Sequence, residues 1–242
     1  MAHKTLKYHL KLLDMLKKLF MIMLMGMMTF GAMAQEGKFT VKGTFEGRKD
    51  SVTIAIVDVV NNWETIVEQT YAITGEMHEL TIDLNDAALL GVTDVKGPTT
   101  VLPAIPGETL VFYQNDHKVT HLGGSQFYVD YDEAQQTIEP ILLGLNECNK
   151  HFGGEFGPLY PDELNLYSKL YLRLYNEVLI NDVLNYIKAH PDQDAAAALI
   201  FHLAYDTKEI EKAAAMLTER ARNSVAANLY KAVNKKTKVV VP

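Results

Sequence analysis

The single cysteine, Cys148, is the strongest nucleophile in the chain, and its neighbours decide whether it acts as one. Ala134, Ile138, Ile141, Leu145 and Cys148 recur at steps of three and four, which is one face of a helix. A free cysteine on such a stripe behaves as a small apolar residue. Lys150 and His151 are the nearby cations that could hold a thiolate, and both fall at or past the expected helix end. Cys148 is therefore expected in the core. With one cysteine, no intramolecular disulfide, CxxC pair or thiolate metal site can form. Dithiol redox chemistry within this chain is excluded.

The other candidates for chemistry are weaker. His117 and His121 are four apart, but in strand and turn sequence that spacing does not bring two ligands together. His151, His190 and His202 stand alone, and His190 before Pro191 suits a cationic helix C-cap. Ser125, in GGSQF, is not in a G-x-S-x-G elbow. Gly153-Gly154-Glu155-Phe156-Gly157 lacks the Lys-Ser/Thr of a phosphate loop and reads as a hinge or tight turn. No catalytic residue, metal or cofactor is expected.

Aromatic side chains supply the candidate ligand contacts. Trp63 follows Asn61-Asn62 and is expected at a loop tip. Tyr167, Tyr171 and Tyr175 form an i, i+4, i+8 ladder. Exposed, the ladder would stack sugars or peptides. Packed on the β region, it would be an internal interface with its hydroxyls at the rim. Packing is favoured, because Leu164, Leu170, Leu174 and Val178 make the same helix apolar over more than one face.

The elements that must position these residues fall into two parts. Residues 35–129 read as β-rich. Phe39, Val41 and Phe45 alternate with polar residues, and Gly43 takes the remaining inward position. Ser51–Val60 is rich in β-branched residues, and Thr65–Ile73 follows. Leu80, Ile82 and Leu84 alternate again. Thr99–Ile105, Glu108–Gln114 and Lys118–Leu122 complete the series, with Pro106-Gly107 and Asn115-Asp116 as turns. This spacing predicts an antiparallel β-sandwich.

Residues 130–234 read as an all-helical subdomain, which makes the fold class α+β. One helix carries the Cys148 stripe. A second opens at Pro161-Asp162-Glu163 and stops at Pro191, a third covers about 194–205, and a last one starts at the capping sequence Asp206-Thr207-Lys208-Glu209. Residues 235–242 read as a structureless tail or linker remnant. No fixed repeat period is present, so a tetratricopeptide-like array is not expected.

Residues 1–34 carry a secretory signal. Lys17 and Lys18 form a positive n-region, Leu19 to Phe30 an apolar h-region, and Ala32-Met33-Ala34 a cleavage site. The competing reading is a membrane anchor, but the run falls short of the ~20 apolar residues that span a bilayer. The n-region is long when counted from Met1, which makes Met15 the expected true start. No cysteine follows the cleavage site, so no lipid anchor is expected there. The mature protein would begin at Gln35 and work in the periplasm or cell envelope, touching the membrane only before cleavage. Cleavage removes five Lys and one Asp, a net +4, and takes the formal charge from −7 to −11. So acidic a chain repels phosphate backbones, and nucleic acid is excluded as a partner.

Three segments carry a family resemblance: Phe39–Gly47 (FTVKGTFEG), Ala104-Ile105-Pro106-Gly107-Glu108, and Gly124-Ser125-Gln126-Phe127-Tyr128. Together with HPDQDA at His190–Ala195, they resemble the DUF4369-type N-terminal domain of Bacteroidetes envelope thiol-disulfide oxidoreductases, of the thioredoxin-like AhpC/TSA group. The resemblance covers about residues 35–230 and implies a β domain followed by helices. Fuller members continue into a thioredoxin-like domain with CxxC, where this sequence stops, so no catalytic residue carries over. The resemblance implies an exported, non-enzymatic accessory or binding module, like the half that positions substrate for the redox domain. Its partner would be an envelope protein or peptide, or a thioredoxin-like domain. The alternatives are a cell-envelope glycan- or peptide-binding protein, using Trp63 or the tyrosine ladder, and a truncated product without independent function.

Overall fold

A computed structural model describes residues 37–46, 51–61, 63–94, 99–115, 118–204 and 206–240. The expected signal peptide, the start at Met15 and His117 lie outside the described residues. Eight strands come first: β1 (Lys38–Glu46), β2 (Ser51–Asp58), β3 (Glu64–Ala72), β4 (Met77–Asp83), β5 (Ala88–Asp94), β6 (Thr100–Ala104), β7 (Thr109–Asn115) and β8 (Lys118–Gly124). They form two four-stranded sheets, ordered β4-β1-β7-β8 and β3-β2-β5-β6. Helices follow, so the chain is α+β. Pairing is mostly antiparallel, with one departure from the all-antiparallel expectation: β1 and β7 run parallel, Val41 beside Leu110 and Gly43 beside Phe112. A parallel pair needs a long crossover. Here β2 to β6 supply it: β2, β3, β5 and β6 build the other sheet, and β4 returns to pair antiparallel with the free edge of β1.

The period-two pattern of β1 holds from Lys38 to Gly43 and then fails at Thr44, which was expected to face outward and is buried. Phe39, Val41, Gly43 and Phe45 are buried, and Lys38, Thr40 and Lys42 are half-buried. At Gly43 a Cβ would stand 2.7 Å from Phe112 Cζ and 2.9 Å from Phe45 Cζ, so the glycine makes room for two rings. Strand β5 was not expected. It lies between β2 and β6, and Ala88, Leu90 and Val92 are buried on its core face while Leu89, Gly91 and Thr93 are half-buried on the other.

The helices are α1 (Gln126–Phe152), α2 (Pro161–Arg173), α3 (Ile180–Ala189), α4 (Asp194–Leu199), α5 (Thr207–Met216), the short α6 (Glu219–Arg222) and α7 (Asn228–Val240). A π-helical stretch, Leu174–Leu179, joins α2 to α3. It has a reason in the sequence. The inward stripe Tyr171, Tyr175, Leu179, Val183, Ile187 advances by fours, which drifts about 40° per step on a 3.6-residue helix. The wider π turn rotates the other way and keeps the stripe facing in. Signals at the helix ends are met. Pro161 opens α2, His190 is the C-cap of α3, and the Asp206 carboxylate accepts from the Lys208 and Glu209 amides at 3.0 and 3.1 Å.

Two expectations about the C-terminal helices are corrected. The last helix is not continuous. It breaks at Leu217, where Thr218 caps α6 and the Arg222 guanidinium donates to the carbonyls of Ala214, Ala215 and Leu217. The Ala214 carbonyl also accepts from the Leu217 amide at 3.3 Å, and the guanidinium adds donors where the end of α5 runs out of intrahelical ones. The helix α7 also continues to Val240, through most of the stretch expected to be a structureless tail. Strands and helices share one buried apolar cluster, running from Phe39 through Tyr128, Tyr131 and Val183 to Tyr230. Phe45 of β1 and Tyr71 of β3, one from each sheet, bring their rings to 6.3 Å.

Candidate functional site

The tyrosine ladder packs, but not on the strands. Tyr167 stacks on His151 at 3.9 Å, Tyr171 meets Phe152 edge-on at 6.1 Å, and Tyr171 and Tyr175 are parallel at 6.4 Å. Its partner is the C-terminal end of α1. The expectation of packing on the β region is thus corrected: the Gly153–Gly157 turn folds α2 back along the helix that precedes it. Tyr175 is buried, and Tyr167 and Tyr171 are half-buried.

Trp63 lies at the β2–β3 turn, among strands rather than on the helix that carries the tyrosines. The Asp58 carboxylate accepts from the Val60 and Asn61 amides at 3.1 and 2.9 Å and from the Asn61 side chain at 2.9 Å. Burial works to raise that carboxyl, but the Asn61 and Val60 donors outweigh it and hold it below the usual range. The turn closes with the Trp63 amide donating to the Asp58 carbonyl at 2.7 Å. Trp63 then takes φ +62°, the one non-glycine among the described residues in the left-handed region. It is 39% exposed.

Cys148 is buried as expected, and burial together with Glu147 pushes its thiol up, away from the thiolate. His121 has a setting that the sequence did not reveal. Its Nδ1 lies 3.7 Å from Asp132 Oδ2, while Asp132 also accepts from the Leu122 amide at 2.8 Å and from Gln136 Nε2 at 2.6 Å. These residues and Gln135 line a cavity of about 20 Å³ between β6, β8 and α1. The space suits one water molecule, not a substrate. The Gln135 Oε1, buried and without a protein partner, belongs to the same wall. Among the described residues, no group of three or more His, Cys, Asp or Glu is placed to hold a metal, and no helix is long and apolar enough to cross a membrane.

His202 also gains a partner that spacing could not show. Its Nε2 is 3.1 Å from the Tyr131 hydroxyl, 71 residues away in sequence. Burial pushes the imidazole down to about 3 and the Tyr131 phenol up. A neutral imidazole accepting from a phenol O–H is a structural pair, with neither group poised to move a proton near neutrality.

The feature that sequence reasoning missed is the outer surface of α2. None of its 13 residues is buried. Leu164, Leu166, Leu170 and Leu172 are 48%, 64%, 42% and 56% exposed, and Phe156 and Tyr160 before the helix are 60% and 75% exposed. An exposed leucine is ordinary, but a cluster of six large apolar side chains on one turn and helix is not. The signal was present in the leucines on more than one face, which marks a helix meant to be covered. What sequence could not show is that α1 covers just the tyrosine side. No family model matches the chain, and no curated protein matches it.

Proposed function

We propose that this chain is an exported, non-enzymatic docking module that binds protein through α2 and the turn leading into it. The exposed leucines of α2 carry the reading. Exposed apolar patches mark contact sites, and α2 presents Leu164, Leu166, Leu170 and Leu172 to solvent within a single helix. Protein is favoured over membrane because α2 sets Asp162 and Glu163 against Lys169 and Arg173. Interfacial helices instead carry an excess of cations on their polar face. The two sheets are read as the layers of a sandwich followed by a helical subdomain, supported by the Phe45–Tyr71 contact. That arrangement resembles the accessory half of an envelope thiol-disulfide oxidoreductase, which fits docking without chemistry.

The test is a native gel of envelope extracts at natural abundance. The wild-type protein is expected in a species larger than the monomer. Leu166→Glu with Leu172→Glu is expected to release it as a monomer, with stability changed by about 0.5 kcal/mol or less per site, because both side chains face solvent. A wild type that runs as a free monomer contradicts the reading. So does a purified protein that reduces disulfides faster than its Cys148→Ser variant.

A second reading, glycan or peptide binding at Trp63, draws on the left-handed backbone there. A bulky residue in that region costs on the order of 1–3 kcal/mol and suggests a ring kept for contact. Trp63 is the single tryptophan, so its fluorescence reports directly on this turn. Oligosaccharide or peptide titrations that leave the emission unmoved remove this reading.

A further inference from the structure

Along α2, Glu163, Leu166, Leu170 and Arg173 follow at steps of three, four and three, so they form one stripe. It is distinct from the stripe that packs on α1 through Tyr167 and Tyr171. Both leucines are open to solvent, Glu163 is exposed, and the Arg173 side chain is 74% exposed. The order acid, leucine, leucine, base is its own complement when the helix is turned end over end. Placed about a two-fold axis midway between the leucines, Leu166 meets the partner's Leu170, and Glu163 meets the partner's Arg173.

We propose that a second copy of this chain occupies the stripe, with the two α2 helices antiparallel about that axis. The proposal rests on the docking reading above and names its partner. An isologous contact requires a self-complementary surface, and this stripe supplies one in both shape class and charge. The location also suits an acidic protein. Two copies repel at long range, but here Asp162 and Glu163 are balanced by Lys169 and Arg173. Existing contacts leave capacity for the partner. Glu163 uses one oxygen to accept from the Tyr160 amide at 2.9 Å, and Arg173 uses Nε toward Glu177 at 3.6 Å. A guanidinium has five N–H donors and a carboxylate two oxygens, so both remain able to pair across the axis. A helix-on-helix contact of this extent lies at the small end of specific interfaces, so the dimer is expected in the micromolar range.

The test is sedimentation equilibrium of the full chain, expressed with its own leader and purified, over a concentration series spanning the micromolar range. Wild type is expected to pass reversibly from monomer to dimer. Leu166→Arg is expected to weaken the dimer at least tenfold. Glu163→Arg and Arg173→Glu each place like charges at both ends of the contact and are expected to weaken it about tenfold. The double swap Glu163→Arg with Arg173→Glu restores opposite charges in every pair and is expected to recover most of the affinity. Far-UV circular dichroism checks that each variant folds. Should loss of the α2 cap unfold Glu163→Arg, Leu166→Arg and Arg173→Glu decide alone. A wild type that stays monomeric, or a folded double swap as weak as the singles, overturns self-pairing. If the envelope extract still holds a larger complex, the partner is a different protein and the docking reading survives. A monomer in both experiments removes both.

Discussion

Gly124→Ala is expected to destabilise the fold by at least ~3 kcal/mol. Gly124 ends β8 opposite Leu110 and leads through Ser125 into α1. Its φ is +103°, and a Cβ there would stand 2.1 Å from the Thr109 carbonyl oxygen and 3.2 Å from the Val111 amide. The obstacle is backbone within a paired strand, so no side-chain rotation relieves it. Moving it would also disturb the Ser125 amide, which donates to the same Thr109 oxygen at 2.9 Å. The junction sets the direction of α1, whose Tyr128 hydroxyl donates to the Pro103 carbonyl at 2.7 Å. Chemical denaturation of wild type and variant checks the effect. A loss under about 1 kcal/mol would mean that the junction adapts and does not fix the helix.

His202→Gln is expected to remove much of the acid sensitivity of folding. The imidazole titrates near 3 in the folded protein, against 6.5 for the free group. As pH falls below 6.5, the unfolded chain takes up a proton that the folded one refuses. The stabilising contribution is therefore complete above pH 6.5 and declines as pH falls toward 3, by at most ~1.4 kcal/mol per unit. Between pH 7 and 5 this amounts to about 2 kcal/mol. Glu108 acts with the opposite sign. Burial raises its carboxyl, so the folded state protonates first and gains stability on acidification. The variant isolates His202 from that effect, and Gln keeps an acceptor for the Tyr131 hydroxyl. Stability measured at pH 7, 6 and 5 should fall less steeply for His202→Gln than for wild type. Parallel slopes would show that the imidazole stays accessible to protons in the folded state.

How much of this fold is legible in the sequence depends on the range of the cause. Local causes read well. The alternation of β1, the inward Gly43, the start at Pro161 and the cap at Asp206 all follow from residues within one or two turns of each other. The break at Leu217 was missed because it depends on Arg222 reaching back to three carbonyls. Strand β5 was missed because Leu89 and Gly91, on its half-buried face, are not polar, so the apolar–polar alternation that identifies a strand is blurred. The parallel pairing of β1 with β7 joins segments some seventy residues apart, and no local pattern encodes it. The candidate site divides the same way. The tyrosine spacing announced a packed face, but its partner, the end of α1, depends on how the glycine turn folds. The exposed leucines of α2 follow from the same event, since a helix period cannot say which faces a neighbour will cover.

The central claim is that the outer face of α2 is covered in the working protein. The most direct measurement is photo-crosslinking in the living cell from a reactive group placed at Leu166 or Leu172, with exposed Thr65 on β3 as control. Efficient protein adducts from the two α2 positions and few from Thr65 are the expected result. Equal or absent crosslinking from α2 would mean that its leucines meet solvent in the cell, and the docking account would not stand.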